Sequence, residues 1–134
     1  MQVTMCAATK LVLHLAFANG STHDFQLFKD SEMLLCQGVK VLADSGYQGL
    51  EREHECALTP FKRPKGGELS AFQKEANRAL ASMRVPVENV IRDLKVFRIL
   101  GERYRGRRKR IQLQATIIAG FVNFNRMNAV APYF

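Results

Sequence analysis

The sequence predicts an α/β fold in one small domain, and three observations carry that expectation. Its 134 residues are about one domain in length, and 47% hydrophobic with 24% charged residues is enough to build a core. Two short runs, Leu11 to Phe17 and Val39 to Ala43, have the alternation or the β-branched character of strands. From Ser70 onward the periodicity turns helical, broken only by Pro86 and by an arginine-rich segment after Leu100.

Residues 1–8 carry no clear signal. Leu11, Leu13, Leu15 and Phe17 alternate with Val12, His14 and Ala16, which is a strand pattern. Asn19-Gly20-Ser21 is turn chemistry, and Ser21 or Thr22 can cap a helix from about Asp24 to Leu35. Phe25, Leu27 and Phe28 lie on its buried side, and Gly38 is its stop. Val39 to Ala43 reads as a buried strand of the parallel kind. Asp44 stands at its carboxyl end, followed by SGYQG. Sites in open α/β sheets gather at such strand ends, so Asp44 can hold a ligand or metal. It can equally cap the next short helix, about Leu50 to Glu55.

Cys56 to Phe61 reads as a further strand and Lys62 to Gly67 as a basic loop. Ser70 is placed to cap a helix carrying Phe72, Ala76, Ala79, Leu80 and Met83. Pro86 lacks an N–H and clashes with the turn before it, so two helices meeting near Val85, or one kinked helix, are expected. Pro86 at the first position of a second helix is the less costly solution. Ile111 to Asn128 reads as a final helix, with Ile117, Ile118, Phe121, Phe124 and Asn125 as a broad inner face.

The net charge of +8 is unevenly placed. Residues 1–60 have four Lys/Arg against seven Asp/Glu, whereas residues 61–134 have sixteen against five. The second half therefore suits a polyanion, and nucleic acid fits better than a membrane because no basic amphipathic helix with exposed aromatics stands out. The electrostatic peak is GERYRGRRKR, with Arg103, Arg105, Arg107, Arg108, Lys109 and Arg110, and Arg98 just upstream. Such a run repels itself unless an anion is near, and Tyr104 within it can stack or bond a phosphate. Cys6, Cys36 and Cys56 are widely spaced, with no Cys-x2-Cys or His-x3-His pair, which argues against zinc and for reduced thiols in a cytoplasmic protein. The apolar run after Lys10 is short and contains His14, unlike a signal peptide, and Leu113 to Phe124 is too short and polar to span a bilayer.

The segment RVPVENVIRDLK, Arg84 to Lys95, reads as a helix with two faces. Val87, Val90, Ile91 and Leu94 form a buried stripe, while Arg84, Glu88, Arg92 and Lys95 share another face. Taken alone, that second face is a solvated row of i, i+4 ion pairs.

Set in order, the elements resemble the later part of an RNase H-like domain. The stretches GSTHDFQLFKDS, VLADSGYQGL and RVPVENVIRDLKVFRILGERYR resemble the catalytic core of bacterial insertion-sequence transposases of the DDE type, from about Leu11 to Asn128. The resemblance implies a partial RNase H-like α/β fold over 1–134: a mixed sheet missing its first strands, flanked by helices, with a helical carboxy-terminal part. It implies a two-metal phosphoryl-transfer site in which Asp44 and Glu88 match the second and third of three carboxylates holding Mg²⁺ or Mn²⁺. Arg84, Arg92 and Lys95 would then hold DNA phosphates, and residues 98–110 would form a DNA-contacting segment. Double-stranded DNA (transposon ends and target) is the implied partner, in a bacterial cytoplasm and associated with the nucleoid. A homo-oligomer is expected of the complete protein.

Two departures stand out. The Tyr of the family's Y-x2-R-x3-E-x6-K pattern falls on Ala81. The first acidic residue of the chain is Asp24, in the THD motif, and it reads as a helix-start residue rather than as the family's first carboxylate. The chain therefore resembles a family member without its amino-terminal part, the first two strands and first catalytic Asp included. Such a chain is expected to be inactive alone, to fold poorly or associate, and to need an upstream transposase polypeptide or a frameshifted product. A truncated DNA-binding remnant that regulates a full-length transposase is the alternative, and an unrelated RNA-binding domain is a third reading.

Overall fold

A computed structural model describes residues 1–129 apart from Asn19, Glu32, Leu34, Tyr104, Arg105 and Arg107, and describes only the backbone of Arg108 and Lys109. The chain divides into two compact units, one of Met1–Phe17 with Pro86–Phe134 and one of Ala18–Val85.

In the first unit, β1 (Gln2–Met5) and β2 (Val12–Ala16) form an antiparallel hairpin, with Val3 opposite Leu15 and Thr4 opposite His14. An irregularity between Thr4 and Met5 brings Met5 opposite Val12. The turn is closed by Cys6 N–H donating to Leu11 O at 3.0 Å, with Lys10 at φ 60. β1 has no counterpart in the sequence expectations, because QVTM becomes a strand through its pairing with β2 rather than through its own pattern.

The core of this unit is Val12 and Leu15 of the hairpin, Val90 and Leu94 of α2 (Ala71–Lys95), and Ala115, Ile118, Ala119 and Val122 of α4 (Arg108–Ala129). Between the two long helices lies α3 (Arg98–Gly101), which turns back against the end of α2. A Cβ on Gly101 would lie 2.5 Å from the Lys95 carbonyl oxygen, so only glycine fits there. Two polar side chains fix the rotation of α4. Asn123 Oδ1 accepts from Val12 N–H at 2.8 Å while its Nδ2 donates to Val12 O at 3.0 Å, and Gln112 Nε2 donates to Leu15 O at 2.8 Å. The helix thus turns its small residues, Ala115 and Ala119, toward the hairpin. The expected inner face is corrected accordingly: Ile118 is buried, but Ile117, Phe121, Phe124 and Asn125 are exposed.

In the second unit, α1 (Asp24–Asp30) follows the Gly20 turn. Its N-cap is His23, with no side-chain cap bond, so neither Ser21 nor Thr22 caps it. The helix is shorter than expected because Ser31 ends it, bonding Phe28 O through its hydroxyl at 2.6 Å. β3 (Val41–Leu42) and β4 (Ala57–Leu58) are parallel, with Val41 opposite Ala57 and Leu42 opposite Leu58. Their crossover holds two 3₁₀ turns, Ser45–Tyr47 and Leu50–Arg52, the second in place of the helix expected to Glu55. Leu50, 1% exposed, is the most deeply buried side chain among the described residues of this unit. One mixed sheet was the expectation, but the described strands form two separate two-stranded sheets, β1 with β2 and β3 with β4.

The unit boundary falls inside α2, between Val85 and Pro86. This helix runs 25 residues with Pro86 in its interior, not as a second helix beginning at Pro86. A proline there denies the Ser82 carbonyl its usual partner, and the helix nevertheless continues on both sides of it. Ser70 caps its start as expected: Ser70 Oγ accepts from Gln73 N–H at 3.2 Å, and Gln73 Oε1 accepts from Ser70 N–H at 3.0 Å. This reciprocal pair satisfies two backbone donors at the helix entry.

Candidate functional site

Asp44 stands directly after β3, partly exposed, where the chain leaves the strand for the first 3₁₀ turn. Its Oδ1 accepts from Gly46 N–H at 2.8 Å, so the carboxylate caps the turn Ser45–Tyr47 rather than the later one. The same glycine meets a second carboxylate. A Cβ on Gly46 would lie 2.8 Å from Asp24 Oδ2 and 3.1 Å from Asp44 Oδ1. Asp24, in the first turn of α1, therefore shares its surroundings with Asp44, and residue 46 must be small for the two acids to approach. Nothing in the sequence revealed this pairing, because twenty positions separate the residues and only the packing of α1 brings them together.

Tyr47 ends the 3₁₀ turn that Asp44 caps. Its ring meets Phe28 edge-on, with centroids 6.5 Å apart and planes at 85°. Burial, with the charges of Asp24 and Asp44, pushes its hydroxyl up to about 12. Gly49, at φ 100, lets the backbone pass against the Phe25 ring, which a Cβ would approach to 3.4 Å. Gln48 anchors the loop by donating to Pro60 O at 2.8 Å. The glycines of SGYQG thus shape a loop around two acids, one job per glycine.

This electrostatic coupling has a measurable consequence. Asp24→Asn removes one of the two charges and is expected to lower the Tyr47 titration midpoint, read from tyrosinate absorbance in the metal-free protein against a Tyr47→Phe control. Most of the elevation should remain, because burial is the leading cause. The sign for stability follows. A phenol whose folded value lies above its unfolded value near 10 stabilises the fold below pH 10, and that contribution disappears as pH rises through about 12.

Glu88 lies in the other unit, on α2. The stripe expected on this helix is present, with Val90 and Leu94 at 0% exposure and Val87 and Ile91 half-buried. Glu88, Arg92 and Lys95 are exposed and Arg84 is half-buried, so the charged row also stands where its spacing placed it. Glu88 and Arg84 each have an interaction partner. Ala81, where the family pattern has Tyr, is exposed on the same helix.

Among the remaining cations, Arg98 is exposed and pairs with Glu102 at 2.9 Å. A pair this open is weak and readily exchanged for a phosphate. Arg103 and Arg110 are exposed. Tyr104, Arg105 and Arg107 lie outside the described residues, as do the side chains of Arg108 and Lys109.

The donors suit a hard divalent ion. Carboxylate oxygens are the ligands Mg²⁺ prefers, and Mg²⁺ keeps several waters or substrate oxygens in its shell rather than requiring a full protein cage. Asp44 keeps a partly exposed carboxylate at a strand end, and Glu88 is exposed. Among the described residues no three His, Cys, Asp or Glu side chains converge. No helix among them is long and apolar enough to cross a membrane.

Comparison with known proteins adds two findings. The model of a family described as DDE superfamily endonuclease matches residues 1–123. A protein from Microchaete diplosiphon, "Probable transposase for insertion sequence element IS702", is 42% identical over 123 residues, which is 92% of this chain and 45% of that protein. The chain thus spans less than half the length of this curated relative. No solved structure matches.

Proposed function

The chain belongs to the DDE superfamily of endonucleases, and on that footing we propose that it takes part in transposase-type cleavage and joining of DNA. The reaction is phosphoryl transfer, in which an oxygen nucleophile attacks a backbone phosphorus and the opposite oxygen leaves. Asp44 and Glu88 are the carboxylates that would hold Mg²⁺ or Mn²⁺, and the chemistry such ions supply is activation of the attacking oxygen and stabilisation of the leaving one. The chain's own side chains position the DNA. Arg84, Arg92 and Lys95 hold phosphates along the α2 face that carries Glu88, and Arg98, Tyr104, Arg105, Arg107, Arg108, Lys109 and Arg110 extend that contact.

The observation that carries this reading is the two-faced helix around Glu88. Two fully buried side chains, Val90 and Leu94, anchor one face while a single carboxylate stands among cations on the other. In this reading the chain supplies Asp44 and Glu88 to an RNase H-like catalytic domain.

A second reading is a DNA-binding remnant that regulates a complete transposase without cutting DNA. It is favoured by the charge of residues 61–134, sixteen Lys/Arg against five Asp/Glu, which suits DNA binding without needing the carboxylates. Both readings require duplex DNA binding. The chain is expected to bind duplex DNA with affinity that falls steeply with salt, and Arg92→Ala with Lys95→Ala should reduce the log–log slope by about 2, roughly 0.9 for each lost phosphate contact. Fluorescence anisotropy across a salt series measures this. An unchanged slope would remove the two cations from the interface, and tighter binding to RNA than to duplex DNA would overturn both readings.

A further inference from the structure

The cations assigned to DNA above lie on α2 and after it, and none belongs to the loops beside Asp44. Residues 61–67, FKRPKGG, carry Lys62, Arg63 and Lys65 and no acid. They leave the same end of the sheet as Asp44. β3 and β4 are parallel, and Ala43 N–H donates to Leu58 O at 3.0 Å, which carries the ladder to the residue before Asp44. The chain therefore leaves β3 at Asp44 and β4 at Thr59 side by side, and Lys62 follows Thr59 by three residues, at most about 10 Å of chain.

The segment is anchored from both sides. Gln48 of the Asp44 loop donates to Pro60 O at 2.8 Å. Asn77 of α2 accepts from Phe61 N–H through Oδ1 at 2.8 Å and donates to Phe61 O through Nδ2 at 3.0 Å. Beyond Phe61 the turn is closed by Gly67 N–H donating to Pro64 O at 3.3 Å, with Gly66 at φ 75. Arg63 Nε donates to Gly67 O at 2.8 Å, which uses one of the five guanidinium donors and leaves four for a ligand. Lys62, Arg63 and Lys65 are all exposed, and among the described residues no carboxylate pairs with any of them. The nearest acid in sequence, Glu68, pairs with Lys74 at 3.5 Å. A loop that serves only solubility needs no such anchoring. Here three like charges within four residues are held in place, which costs chain entropy and adds repulsion, and a bound polyanion offsets both.

We propose that Lys62, Arg63 and Lys65 form a phosphate-binding loop that holds the DNA backbone beside Asp44, in addition to the contacts of α2 and the 98–110 segment. The role of this loop rests on the reading of Asp44 as part of a DNA-cleavage site, and it names the residues that keep the strand there. A phosphodiester chain fits better than a single anion. Three cations spread along one turn match successive phosphates, and Arg63 adds the planar fork that takes phosphate oxygens in pairs.

Duplex DNA binding by the 134-residue chain across a salt series tests this, with far-UV circular dichroism as the fold control. Lys62→Ala, Arg63→Ala and Lys65→Ala combined should lower the log–log slope by about 3, roughly 0.9 for each lost contact, and weaken binding at least about tenfold at moderate salt. Lys40→Ala removes an exposed cation at the opposite end of β3 and should leave the slope unchanged. A second readout places the contact. The chain has no tryptophan, and Phe61 is exposed at the root of the loop, so Phe61→Trp supplies a single reporter. Its emission should change on DNA binding, and the change should vanish when the three loop cations are removed. A wild type that binds duplex DNA, with an unchanged slope in the triple variant and a silent Trp reporter, overturns the loop's role and leaves the proposed function standing. A loss confined to RNA, with duplex binding intact, overturns it equally. A wild type that binds no duplex DNA overturns the proposed function itself, and the loop's role with it.

Discussion

Glu88→Ala is expected to lower DNA strand cleavage by at least about a thousandfold when the chain is combined with an upstream transposase polypeptide, while duplex binding changes by less than about threefold. A thousandfold corresponds to about 4 kcal/mol of transition-state stabilisation, the scale on which a bound metal ion acts on a phosphoryl oxygen. Removing one of its carboxylates should forfeit most of that. Binding should persist because Arg84, Arg92, Lys95 and the 98–110 segment remain, and folding should persist because Glu88 is exposed and surface changes are usually within about 0.5 kcal/mol. Glu88→Gln separates charge from shape: it keeps the side chain's size and hydrogen-bonding capacity, and it should fail as completely as alanine. Cleavage near the wild-type rate by either variant would exclude Glu88 from the metal site. Equal binding with no cleavage by any form, wild type included, would favour the DNA-binding remnant.

How much of this was legible before the structure differs from element to element, and the difference has a physical cause. The buried stripe of α2 was readable because Val90 and Leu94 repeat at the helical period, a purely local property. The Ser70 cap was readable for the same reason, its partner being three residues away. β1 was not, because four residues gain their strand conformation from β2 across a hairpin. Pro86 left two helices or one kinked helix open, and the chain takes the single helix rather than the second start that the local penalty favoured. The face of α4 was misjudged most instructively. Hydrophobicity alone favours burying Phe121 and Phe124, but Asn123 and Gln112 bond the backbone of β2, and those bonds select the side bearing Ala115 and Ala119. The place of Asp44 at a strand end was legible from the β-branched run before it. Asp24 was not, since its approach to Asp44 depends on how α1 packs.

The second large effect concerns the anchor beneath Glu88. Leu94→Ala is expected to lower the unfolding free energy by about 2–5 kcal/mol, the range for truncating a fully buried leucine that leaves a cavity. Leu94 is 0% exposed and belongs to the cluster joining α2 to the hairpin and α4, with Val90 one turn earlier and Glu88 on the same helix. Since small domains hold only about 5–15 kcal/mol in reserve, this one change removes a large share of it. Urea titration should show a lower midpoint with an unchanged slope, because the surface exposed on unfolding barely differs. Leu94→Met, which conserves volume, should cost less than about 1.5 kcal/mol. The two variants together separate packing from chemistry. Cleavage by Leu94→Met should match the wild type, and cleavage by Leu94→Ala should recover when temperature is lowered enough to refold it, whereas Glu88→Ala should stay inactive at every temperature. A Leu94→Ala variant as stable as the wild type would mean that this helix is not held by the core that presents Glu88.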